Sequence, residues 1–299
     1  MTDGNPPEEP PERTVVDDAQ LALLCEVSAT PKPGNVDRRR DLDGLRFEHF
    51  LAGAVGARSG LERAARSEPI GVAFERAVAG MATQRGGNTQ FGCLLLLVPL
   101  VRAATAESLT PDGVRRVVEA TTVADAVAFY RAFEHVDVAV SDLPGDADAI
   151  DVRRGRNAAS TLRERELTLY DIMELSANPQ RGIGDGNARL WTSGFARAFA
   201  AADALCEADG PVLDRTARVF LDCLAAEPDS LVAVVHGEAT ARDVSSRAAT
   251  AAAELEATGE FDAAHALAET FVEAGYNPGT TADLIAAALF IALQRGLEI

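Results

Sequence analysis

Apolar side chains recur along this chain at helical spacing, and the loops between them are rich in Gly, Pro and Asn. From Thr14 to Ser28, Val15, Ala19, Leu21, Ala22, Leu24, Cys25 and Val27 form the broad apolar face of a helix. Asp17 and Asp18 fall in its first turn, where the helix dipole favours acids. Phe47 to Ala65 repeats the pattern through Phe50, Leu51, Ala54, Val55, Leu61 and Ala64. Pro69 opens a third helix at Ile70 that runs to Thr83. Cys93–Val101 is apolar on every side, which predicts a helix buried among others and kinked by Pro99. Further helices are predicted at Pro111–Ala120, Thr122–Phe133, Leu167–Leu175, Trp191–Cys206, Pro211–Leu224 and 239–257. Pro228 and Asp229 are helix-start residues for the segment through Val235-His-Gly-Glu238. The last element runs to Leu293, begins at a Pro-Gly turn capped by Thr280 or Thr281, and carries Asp283 in its first turn. No alternating stretch is longer than Val136–Val140. The pattern predicts an all-α fold: a single compact multi-helix domain of about a dozen helices over residues 14–299. Residues 1–13, acidic and Pro-rich, read as a disordered tail and not a signal peptide.

Three loops stand out because each joins Gly or Pro with Asn, Thr or Asp beside a very apolar helix. They span 28–38, 84–92 and 276–283. In Ser28-Ala-Thr-Pro-Lys-Pro-Gly-Asn-Val-Asp-Arg38 the prolines hold Lys32 in a stiff, extended segment, and Gly34 lets the chain turn after it. In Gln84-Arg-Gly-Gly-Asn-Thr-Gln-Phe-Gly92, Gly86 and Gly87 permit close backbone approach, and Asn88 and Thr89 suit a helix start. The glycines of Gly182-Ile-Gly-Asp-Gly186 follow no strand, so they make no dinucleotide fingerprint.

Composition narrows the function. Hydrophobic residues make up 47% of the 299, and aromatics only 5%, which favours packed helices. The net charge is −18, from 46 acids and 28 bases, and every base but Lys32 is arginine. Phosphate polymers and anionic membranes would be repelled, so neither nucleic acid nor a membrane is an expected partner. The longest apolar runs, Cys93–Val101 and Leu284–Leu293, are about half of what a membrane helix needs. An acidic, arginine-for-lysine chain suits a cytoplasm of molar salt, where the Debye length is about 3 Å. A halophilic, cytoplasmic protein is therefore expected. Cys25, Cys93, Cys206 and Cys223 form no CxxC pair and read as buried small hydrophobes in a reducing compartment. The arginine run at 38–40 is interrupted by acids and reads as local ion pairing.

If the three loops converge, they make a cleft holding helix-end N–H groups, one lysine and two aspartates, Asp37 and Asp283. Backbone donors and Lys32 suit phosphate, and the two acids suit a hydrated Mg²⁺ on it. Two acids beside a sugar carbon also suit an oxocarbenium-like displacement.

Glu26-Val-Ser-Ala-Thr-Pro-Lys-Pro-Gly-Asn-Val-Asp-Arg38 resembles the signature of the ATP:dephospho-CoA triphosphoribosyltransferases, also called triphosphoribosyl-dephospho-CoA synthases. Gly87-Asn-Thr-Gln-Phe-Gly92 is similar to the family's Asn-Thr loop, and Asn277-Pro-Gly-Thr-Thr-Ala-Asp-Leu284 to its C-terminal Pro-Gly segment. Asp229-Ser-Leu sits where the family has Asp-Thr-Leu. The resemblance implies an all-helical transferase that moves the triphosphoribosyl group of ATP to the ribose 2′-hydroxyl of dephospho-CoA and releases adenine. It places Lys32, Gly34, Asn35, Arg38, Gly87, Asn88, Thr89, Asn277, Gly279, Thr280 and Thr281 around nucleotide and phosphates. Glu26 becomes the base for the attacking hydroxyl, while Asp37 and Asp283 hold Mg²⁺ or stabilise charge at C1′. The chain departs from the family at Gln90, where the usual residue is His, and lacks its Gly-Ala-His-x-Asp-Met segment. These departures leave three alternatives open: transfer to another acceptor, hydrolysis of a nucleotide N-glycoside, and nucleotide binding without catalysis. A homo-oligomer is also left open.

Overall fold

The computed structural model describes residues 13–140, 148–177 and 183–299. Among them the chain forms fifteen α-helices, two short 3-10 helices (Asp148–Ile150 and Val152–Ala158) and no β-strand. The helices are α1 Val15–Ser28, α2 Phe47–Ala65, α3 Ile70–Met81, α4 Phe91–Thr105, α5 Pro111–Glu119, α6 Val123–Ala132, α7 Ala159–Glu164 and α8 Leu169–Ala177. They continue as α9 Gly186–Thr192, α10 Ala196–Glu207, α11 Val212–Ala226, α12 Ser230–His236, α13 Glu238–Thr258, α14 Asp262–Ala274 and α15 Gly279–Gln294. The all-α reading stands. Val136–Val140 is irregular, because alternation over five residues has no partner strand to pair with. Apart from Arg13, which pairs with Asp18 at 2.7 Å, the predicted tail lies outside the described residues. So do residues 141–147, and Gly182 of the predicted Gly-rich connection.

Two helices apolar on all sides, α4 and α15, lie against each other at the centre. Amphipathic helices surround them: α1, α2, α3 and α5 around α4, and α10, α11 and α12 around α15. Leu94, Leu96, Leu97 and Leu100 of α4 are fully buried, each worth about 1.5–3 kcal/mol of burial. Helices α2 and α3 approach so closely that a Cβ at Gly56 would collide with the carbonyl of Gly80.

Pro99 sits inside α4, and the helix continues through it to Thr105. A proline has no N–H, so the carbonyl four residues earlier, at Leu95, loses its helical partner. The indole N–H of fully buried Trp191 donates to that carbonyl at 3.2 Å. The side chain of one helix thereby repairs the ladder of another.

Three departures from the pattern have physical causes. The predicted helix Trp191–Cys206 is broken at Gly194 and Phe195, both left-handed at φ 64° and 61°. Phe195 is wholly buried there, so packing of its ring sets a backbone state that periodicity cannot reveal. Helix α14, rich in Ala and Glu, lies in a stretch where the apolar pattern assigns no element. Finally, α15 is capped neither by Thr280 nor by Thr281. Asp229, the N-cap of α12, accepts from the Thr281 N–H at 2.7 Å and its hydroxyl at 2.8 Å. Its other oxygen accepts from the N–H groups of Leu231 and Val232. One buried carboxylate ties two helix starts together.

Candidate active site

The three predicted loops meet at one cavity of about 440 Å³. Its polar end is lined by Glu26, Lys32, Asn35, Asn88, Thr89, Asn187, Asn277, Gly279, Thr280 and Asp283. Its apolar wall comes from α4, α6, α8 and the segment after α6, including Phe91, Phe129, Phe133, Val138, Ile150 and Met173. Phe91 and Phe133 pack edge-on at 4.8 Å between ring centres.

Glu26, at the end of α1, and Lys32, in the Pro-Lys-Pro loop, form an ion pair with exposures of only 2% and 1%. Lys32 Nζ also lies 5.9 Å from the centre of the Phe220 ring. Burial pushes the Glu26 carboxyl above its ordinary value, and the charge and hydrogen bond of Lys32 pull it back. The pair is one unit: neither charge could stay buried alone.

Asp37 does not face this cavity. It is wholly buried, and its oxygens accept from the Thr30 hydroxyl (2.8 Å), the Lys32 N–H (3.3 Å), the Arg39 N–H (2.8 Å) and the Arg40 guanidinium (3.1 Å). It shapes the loop that presents Lys32, and the predicted Asp37–Asp283 pairing around a metal does not form. Among the described residues no group of three His, Cys, Asp or Glu is placed to hold a metal ion. Gly34, at φ 82°, lets the first loop nest on the third, since a Cβ there would collide with the Tyr276 carbonyl. Arg38 and Gly87 are exposed and outside the cavity lining, and Thr281 is turned to Asp229.

Asp283 does line the cavity. Its Oδ2 accepts from Asn187 Nδ2 at 2.8 Å, and its Oδ1 from the Cys93 thiol at 3.1 Å. Burial raises its pKa to about 7; the bonds from Asn187 and Cys93 oppose the rise, and the charges of Asp229 and Glu26 add to it. Gly92 gives the pair its space: a Cβ there would collide with Asp283 Oδ2 and stand 2.6 Å from Asn187 Nδ2. On the other side, Asn35 Nδ2 donates to Asn277 Oδ1 at 2.7 Å, fastening loop 28–38 to loop 276–283. The Ser230 and Thr280 hydroxyls are 2.9 Å apart, and the Gly186 N–H donates to Ser230 Oγ.

Three buried polar atoms in this lining have no partner: Asn35 Oδ1, Thr89 Oγ1 and Asn187 Oδ1. An unsatisfied buried oxygen costs about 1–3 kcal/mol, and together they describe a surface made for a polar ligand. Sequence reasoning missed Asn187 and the role of Cys93. Asn187 follows the Gly-rich connection set aside for want of a strand, and Asp185 caps the helix that carries it. Cys93 is buried as expected, but its thiol is bonded to a carboxylate and is not a mere space-filler.

A family model described as ATP:dephospho-CoA triphosphoribosyl transferase matches residues 12–298. No curated protein matches the sequence. The chain resembles a crystal structure of a candidate triphosphoribosyl-dephospho-CoA synthase from Archaeoglobus fulgidus, with a TM-score of 0.68 and 25% identity. The likeness covers 85% of this chain and 100% of that one.

Proposed function

The chain belongs to the ATP:dephospho-CoA triphosphoribosyltransferase family, and from that premise we propose that the cavity between α1, α4, α9, α12 and α15 is its active site. The protein is a transferase that moves the triphosphoribosyl group of ATP to dephospho-CoA. Removal of that group from ATP leaves adenine. The observation that carries the site assignment is the joint burial of the Lys32–Glu26 pair, Asp283 and three unpartnered polar atoms around one cavity.

Glu26 takes the proton of the attacking 2′-hydroxyl, and Lys32 holds its charge in place. Asn88, Thr89 and Thr280, at the starts of α4 and α15, receive phosphate oxygens where helix dipoles are positive. Asn35 and Asn277 fasten the Lys32 loop to the loop that leads into α15. Asp283 is the second carboxylate of the reacting centre. The apolar wall takes the less polar parts of the two substrates. Mg²⁺ would arrive as companion of the triphosphate and neutralise its charge; among the described residues no group of three His, Cys, Asp or Glu is placed to hold it. No step here depends on it. The charge of −18 suits a halophilic cytoplasm as the working medium. Among the described residues no helix is long and apolar enough to cross a membrane.

The test is incubation of the purified protein with ATP, Mg²⁺ and dephospho-CoA in molar KCl, following adenine by chromatography and the product by mass. Adenine that appears only with dephospho-CoA supports the reading. Adenine without it identifies a hydrolase, and ATP binding with no adenine identifies a non-catalytic binder.

A further inference from the structure

The Asn187–Asp283 pair presents two unlike groups side by side. Asn187 is 8% exposed, and its Oδ1 has no partner although it lines the cavity. Its amide cannot turn around freely, because Nδ2 is held by the Asp283 carboxylate. The wall therefore offers a fixed acceptor beside a carboxyl group. That carboxyl is clamped from the other side by the Cys93 thiol. Adenine carries the complement along one edge: the N6 amino group donates and N7, next to it, accepts. Phe91, which directly precedes Gly92, and Phe133 line the same cavity and suit the face of a purine.

We propose that Asn187 Oδ1 accepts from the N6 amino group of the ATP adenine, and that Asp283 is the acid that protonates N7 as adenine departs. This rests on the triphosphoribosyl-transfer reading of the cavity. The C1′–N9 bond breaks and its electron pair passes into the purine, while the Asp283 proton goes to N7. The acceptor hydroxyl oxygen bonds to C1′, and its proton goes to Glu26. Adenine leaves neutral, and solvent exchange returns both carboxyls to their starting states. The environment suits these roles. The groups facing Asp283 are Cys93 from α4, Glu26 from α1 and Asp229 at the start of α12, with Lys32 paired to Glu26. None is a free cation, so a neutral, proton-bearing carboxyl is accessible near pH 7. Glu26, ion-paired to Lys32, is the one held charged for base work.

The test compares four nucleotides by kcat/KM: ATP, its 6-deamino analogue purine riboside triphosphate, 7-deaza-ATP and 7-methyl-ATP, whose ring already bears the positive charge. The wild type is expected to use the 6-deamino analogue roughly tenfold less well than ATP, the worth of one neutral hydrogen bond. Asn187→Ala should abolish that discrimination. The wild type should be about 10²–10⁴-fold slower with 7-deaza-ATP, as expected for loss of acid catalysis. Asp283→Ala should lose a similar factor with ATP and recover with 7-methyl-ATP after subtraction of the enzyme-free rate. Two wild-type results would overturn the proposal without any question of misfolding: equal use of ATP and the 6-deamino analogue, or normal turnover of 7-deaza-ATP. If instead the wild type releases no adenine from ATP at all, the reaction reading itself falls. Turnover of ATP with no effect of the N6 or N7 changes removes only the assignment of Asn187 and Asp283.

Discussion

Replacing Lys32 with Met tests whether the buried ion pair is one unit. The substitution keeps the length of the side chain and removes its charge, leaving Glu26 with 2% exposure and no counter-ion. Breaking a buried pair from one side costs about 3–5 kcal/mol, whereas replacing both members together is often nearly neutral. Across 299 residues the unfolding entropy is about 0.6 kcal/mol per degree, so Lys32→Met should lower Tm by about 5–8 °C. Salt will not hide this, because a buried pair is screened far less than a surface one. The loss should also depend on pH. The Glu26 carboxyl is already raised above 4.5 in the folded state by burial, and Lys32 is what lowers it. A group raised on folding contributes stability that is complete below its unfolded pKa and is lost as pH rises through its folded pKa. Without Lys32 that folded value climbs further, so the variant should be closest to wild type near pH 5 and furthest from it near pH 8. Lys32→Met/Glu26→Gln removes both charges and should recover most of the lost Tm. It should not recover triphosphoribosyl transfer, for which Glu26 is the proposed base. Thermal unfolding at the two pH values, with adenine release measured alongside, decides the matter. A single variant as stable as wild type at pH 8, or a double variant no better than the single one, would refute the reasoning.

Three further outcomes follow from the geometry. Trp191→Phe strands the Leu95 carbonyl and should cost about 1–3 kcal/mol beyond its cavity term; adding Pro99→Ala restores an N–H to the ladder, so denaturant melts of the cycle should show positive coupling. Gly92→Ala pushes a methyl group into the Asp283–Asn187 pair and should cut kcat by at least about 10²-fold, the scale of a 1 Å misplacement, while circular dichroism stays helical. Asp229→Asn leaves a single oxygen for four donors and should destabilise the protein by about 1–3 kcal/mol for each donor stranded, measured by chemical denaturation; unchanged stability would remove Asp229 as the link between α12 and α15.

The amino-acid sequence by itself determined the helical architecture, the buried character of the two central helices, the three loops that line the cavity and the family. Each of these is a local signal: a period of 3.6 residues, a run of apolar side chains, or a proline–glycine motif read within a dozen positions. The lone lysine and Glu26 were legible as candidate site residues for the same reason, since they lie six residues apart, Glu26 at the end of α1 and Lys32 in the loop that follows. Only the tertiary structure decided between the two aspartates. Asp37 and Asp283 look alike in sequence, each an acid beside a Pro-Gly loop, yet one bonds inward to its own loop and the other faces the cavity. Asn187, Cys93 and Asp283 become a unit across separations of 96 and 190 residues, and Asp229 caps a helix 52 residues away. Where a side chain points, and what it meets there, depends on how helices pack. Packing is fixed by the sum of many buried contacts and not by the residues on either side.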